Sequence, residues 1–98
     1  MFRVEDLSGD SIVVDGGWIE KLRGQQSKAR APATDYKDTE IRELSRRRFV
    51  VFGEKMHLLQ VIVDVGGSWM SLTVKEEQRS EVEQLVAELE RARDSTAA

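Results

Sequence analysis

Ninety-eight residues, 40% hydrophobic and 34% charged, suffice for one folded domain with a buried core and argue against intrinsic disorder. Cysteine is absent, which excludes disulfides, thiolate metal sites and thiol nucleophiles. The net charge of −3 conceals a segregation: residues 1–20 sum to −4, residues 21–48 to +5, residues 49–74 to −1 and residues 75–98 to −3.

Phe2 to Asp6 is expected as a short strand, ended by the turn-forming run Leu7-Ser8-Gly9-Asp10. Ser11 to Val14 and Trp18 to Leu22 read as strands joined through Asp15-Gly16-Gly17, because glycine supplies the positive φ of tight hairpin turns. A two-residue loop there pairs Val14 with Ile19 but sets Ile12 against Lys21, which leaves the register open. Gly24 to Thr34 has no periodicity and holds the only proline, so a mobile basic loop is expected over residues 24–34. In the next stretch Ile41 and Leu44 stand three apart, which fits a helical turn or a bulged strand; a turn feeding a strand is the preferred reading.

Phe49 to Phe52 reads as a strand, turned by Gly53-Glu54-Lys55 into a long strand from Met56 to Val65. Leu59, Val61, Val63 and Val65 alternate on one face of it, with Gln60 and Asp64 on the other. A Gly66-Gly67 turn then pairs Val65 with Ser68, Val63 with Met70, Val61 with Leu72 and Leu59 with Val74. A slip of one residue would turn this apolar set to the wrong face, so the register is strongly specified. Lys75 to Arg93 reads as a helix, with Val82, Leu85, Val86 and Leu89 at i, i+3, i+4, i+7 spacing and Ala92 extending the stripe. Glu76 and Glu77 in its first turn and Arg91 and Arg93 in its last suit the helix dipole. The expected organisation is one α+β domain over residues 1–94 and a frayed tail over 95–98.

Hairpin-ordered strands followed by one terminal helix resemble a small bacterial pleckstrin-homology-like domain. The residues that carry the likeness are Gly16-Gly17-Trp18-Ile19, the Ile41-x-x-Leu44 segment leading into Arg46-Arg47-Arg48-Phe49-Val50-Val51-Phe52, and the closing hairpin with its helix. The resemblance implies a bent antiparallel sheet or half-open barrel of six to seven strands, with the helix plugging one open end.

The chemistry on offer is sparse. His57 is the only histidine, with no second His or Cys to build a metal or nucleophile constellation. The glutamates from Glu76 to Glu90 lie largely on the polar face of the terminal helix, where solvated charge is the plain reading. The glycine pairs match no phosphate-loop pattern. A non-enzymatic module without a cofactor or metal is therefore expected.

Two binding surfaces remain. If 49–52 pairs with 56–59, Val50, Phe52, Leu58 and Ile62 form a second apolar face, and Trp69 stands cross-strand from Asp64 on that side. Trp69, Ile62, Phe52 and Leu58 are accordingly the candidate contacts for a protein partner or a homo-oligomer. The alternative is anionic phospholipid held by Lys21, Arg23, Lys28, Arg30, Arg46, Arg47 and Arg48, as pleckstrin-like domains hold phosphorylated head groups. The net negative charge, and a basic stretch with Tyr36 as its one aromatic, argue against nucleic acid. No apolar run approaches the roughly 18 residues that cross a bilayer, and Met1 to Asp6 lacks the features of a signal peptide. A cytoplasmic protein is expected, peripheral to the inner membrane face under the lipid alternative.

Overall fold

A computed structural model describes residues 1–46 and 56–97, and the side chains of all of these except 45, 46, 56, 96 and 97. The first half is a four-stranded antiparallel meander: β1 (Phe2–Glu5), β2 (Asp10–Asp15), β3 (Trp18–Arg23) and β4 (Gln26–Pro32). A 3₁₀ turn at Ala33–Asp35 leads to a three-stranded antiparallel meander of β5 (Asp38–Arg46), β6 (Met56–Asp64) and β7 (Trp69–Lys75). A second 3₁₀ turn at Glu76–Gln78 opens into the helix α1 (Arg79–Ala97). The molecule is thus α+β, with two antiparallel sheets and a C-terminal helix, and among the described residues the strands do not close into a barrel.

The two glycine turns resolve differently. Gly16 alone of the first pair has positive φ (58°), which suits a turn of type II′, whereas Gly66 and Gly67 both do (72° and 104°), as type I′ demands. The first hairpin takes the two-residue register, Val14 opposite Ile19 and Ile12 opposite Lys21. Lys21 is tolerated on the inner face because it lies near the sheet's end and reaches Asp10 there. The second hairpin pairs Val63 with Met70, Val61 with Leu72 and Leu59 with Val74, as the alternation demands.

Three stretches differ from expectation. Most of the segment read as a basic loop is strand β4: Ala29 and Ala31 supply a small inner face opposite Lys21 and Ile19, a signal too weak for periodicity to display. Residues 38–46 form one continuous strand, with Ile41 and Leu44 on opposite faces. The helix runs past Arg93 to Ala97, since no glycine or proline stops it. The expected strand 49–52 and its turn 53–55 lie outside the described residues.

The core lies between the sheets and under the helix. Val4, Ile12, Val14 and Ile19 from the first sheet meet Leu59, Val61, Val63, Met70, Leu72 and Val74 from the second, and Val82, Leu85 and Leu89 of α1 complete the cluster. Its burial removes apolar surface from water at about 25 cal/mol per Å². One set of hydrogen bonds ties the sheets. At a corner, Leu7 N–H donates to the Thr73 carbonyl (3.1 Å) and Thr73 N–H to Asp6 Oδ2 (3.1 Å). Within the second sheet, Lys37 N–H donates to the Asp64 carbonyl (2.9 Å) and continues the β5–β6 ladder. Gln78 secures the helix entry, accepting from Lys75 N–H (3.3 Å) and donating to the Glu5 carbonyl (3.0 Å).

Candidate functional site

The outer face of the β5–β6–β7 sheet is built by strand parity. Residues directly opposite share a face, so the register generates rows across the three strands. Asp38, Asp64 and Trp69 form the row nearest the glycine turn, and Glu40, Ile62 and Ser71 the next. Trp69 is 71% exposed, although it sits on a regular strand rather than at a loop tip. Ile62 is half-buried one row away. The two carboxylates beside the indole bond only locally: Asp38 Oδ1 accepts from Thr39 N–H (2.8 Å) and Asp64 Oδ1 from Gly66 N–H (3.1 Å).

Of the four residues expected to make protein contacts, the structure brings Trp69 and Ile62 together. Leu58 occupies the same face at its far end but is buried, at 5% exposure, and offers no accessible side chain. Phe52 lies outside the described residues.

Among the described residues, the basic side chains expected to gather an anion are dispersed. Asp10, nearly buried, accepts from Arg23 Nε (3.0 Å) and lies 3.7 Å from Lys21 Nζ. The Arg23 hydrogen bond holds the Asp10 carboxyl below its ordinary 3.8, against burial, which pushes it up. Arg30 stands on the opposite face of the same sheet, its guanidinium 4.1 Å from the ring centre of Trp18. Lys28 is the extra residue of a β-bulge, since Lys21 pairs with Ala29 while Leu22 pairs with Ser27. The side chain of Arg46, and Arg47 and Arg48 entirely, lie outside the described residues. Glu40 and Glu43, the acids nearest that cluster in sequence, pair with Arg42 (2.8 Å) and Arg79 (2.7 Å).

Trp18 is a surface feature that sequence reasoning missed. It is 45% exposed and forms a shallow depression of about 210 Å³ with Val13, Leu22 and Arg30. Its alternation with buried Ile19 was a usable signal, masked by the open register of that hairpin.

Other chemistry is limited. His57 Nδ1 stands 3.8 Å from Glu76 Oε2, both side chains well exposed. Among the described residues no three His, Asp or Glu side chains group as metal ligands. A groove of about 550 Å³ separates Phe2, Val14 and Gly16 from Glu88, Arg91 and Ala92 of α1, with the Arg91–Glu88 ion pair (2.5 Å) at its polar side. No helix among the described residues is long and apolar enough to cross a membrane. No family model, curated protein or solved structure matches the chain.

Proposed function

We propose that the chain is a non-enzymatic protein-interaction module with a pleckstrin-homology-like architecture, and that its contact surface is the outer face of β5–β7 around Trp69. The order of a four-stranded meander, a three-stranded meander and a terminal helix supports the architectural part. The exposure of Trp69 carries the functional part. A tryptophan offers some 150–250 Å² of surface for burial, and its retention in water on a rigid strand is the arrangement of an unoccupied anchor. Ile62 supplies an apolar neighbour, while Asp38 and Asp64 supply a polar rim.

This reading ranks above attachment to anionic lipid, because Lys21 and Arg23 are committed to Asp10 and Arg30 to Trp18 on the other face. The test uses the whole chain as bait in an extract of its own source cells, comparing it with Trp69→Ala and Trp18→Ala. Partners retained by the parent and by Trp18→Ala but lost with Trp69→Ala are expected, with an unchanged melting temperature. Equal capture by all three would remove the assignment.

A further inference from the structure

Strand β5 runs for nine residues with β6 on one side and, among the described residues, no strand on the other. An open edge of that length is a template for another strand, and proteins guard such edges with charged side chains, proline, bulges or brevity. One edge strand of the first sheet, β4, carries three of these guards: Pro32 at its end, and Lys28 in a bulge. In β5 proline, lysine, bulge and brevity are missing; its guards are charges, and those of Glu40 and Arg42 are of opposite sign, so a second copy of the strand can match them. Its register with β6 is unbroken from Asp38 opposite Asp64 to Arg46 opposite Met56, and the strand contains neither proline nor lysine.

We propose that two copies of the chain pair antiparallel through β5, about a two-fold axis at Ile41, by mutual strand addition. The inference stands apart from the Trp69 surface. Charge selects the register. Directly paired residues must share a face, so the axis passes through a residue rather than between two. With Ile41 opposite Ile41 of the second copy, Glu40 meets Arg42 and Arg42 meets Glu40. Thr39 then meets Glu43, and Asp38 meets Leu44. An axis at Glu40, Arg42 or Glu43 would set that charge against itself. An axis at Thr39 would oppose Asp38 and Glu40, and one at Leu44 would oppose Arg42 and Arg46. Among axes from Thr39 to Leu44, only Ile41 avoids every like-charged pair.

The local structure is ready for this arrangement. Within one copy Arg42 Nε already holds Glu40 Oε1 at 2.8 Å, both side chains more than half exposed, so pairing converts two ion pairs into an alternating group of four charges. Ile41, half-buried at the rim of the core, gains an apolar neighbour across the axis. The product is a six-stranded sheet in which neither β5 edge is open.

Analytical ultracentrifugation of the full chain over a range of concentrations tests the pairing. A concentration-dependent dimer is expected. Arg42→Glu and Glu40→Arg each oppose like charges across the axis and should raise the dissociation constant roughly ten-fold or more. The double variant Glu40→Arg/Arg42→Glu restores complementarity and should dimerise like the parent, and the two single variants mixed should form a heterodimer. Circular dichroism melting confirms that these surface variants fold. Trp69→Ala, two strands away from the axis, should leave the mass unchanged, which separates this pairing from the Trp69 surface. A monomer at every concentration would overturn the proposal, as would a dimer indifferent to the charge swaps or one lost with Trp69→Ala.

Discussion

Asp10 shows how one residue's surroundings set its duty. A carboxylate with 6% exposure needs partners, and it has Arg23 and Lys21. Because these partners depress its folded pKa below 3.8, its contribution to stability is fully present above the unfolded value. That contribution fades as pH falls through the lower folded value. Stability of the parent to urea should therefore fall in acid below about pH 4, and Asp10→Asn should remove part of that slope while destabilising the protein at neutral pH. Ser11 is the reverse case. Its hydroxyl is fully buried with no hydrogen-bond partner among the described residues, so Ser11→Ala should stabilise by about 1 kcal/mol, readable as a higher denaturation midpoint. Gly66 has positive φ, and an added Cβ would meet the Asp35 carbonyl at 3.4 Å, whereas Gly16 has open space. Both glycines have positive φ, so Gly66→Ala and Gly16→Ala should each cost about 1–2 kcal/mol, read as a lower denaturation midpoint.

At the scale of elements, legibility followed side-chain size. The β6–β7 register was readable because Leu59, Val61 and Val63 meet Val74, Leu72 and Met70, and any slip would expose them all. Strand β4 was not, because its only apolar inward residues are Ala29 and Ala31, set among Gln26, Ser27, Lys28, Arg30 and Pro32, a composition shared with loops. In β5 the three-residue spacing of Ile41 and Leu44 imitated a helix turn. In fact Ile41 faces the core, and Leu44 pairs with Leu58 on the outer face. The corner between the sheets was invisible to periodicity, since it depends on one carboxylate. Asp6 accepts from Ser8 N–H (2.8 Å), Asp10 N–H (3.0 Å) and, across the sheets, Thr73 N–H (3.1 Å). Asp6→Ala should cost about 1–3 kcal/mol and speed hydrogen exchange at Thr73 above that at Val61.

For the whole molecule, the candidate site was half legible. The row pairing Asp64 with Trp69 followed from the glycine turn, but whether the indole faced water or a strongly bent sheet depended on tertiary placement. The same limit applied to the basic residues. They fall within one net-basic stretch of the sequence, yet strand parity sends Lys21 and Arg23 to one face of the first sheet and Arg30 to the other. The helix covers the core that the two sheets share: Leu85 and Leu89 are fully buried in it, and Leu85→Ala should cost about 2–5 kcal/mol. With the inner faces closed in this way, the outer face of β5–β7 is where the proposed contact is to be tested. The most direct measurement of that contact is cross-linking in the source cells from a photoreactive residue at Ser71, beside Ile62, with Glu81 on the helix as control. A discrete protein adduct from position 71, weak or missing from position 81 and lost when Trp69→Ala is added, is the result this account predicts. Equal labelling from both positions, or none from 71, would contradict it.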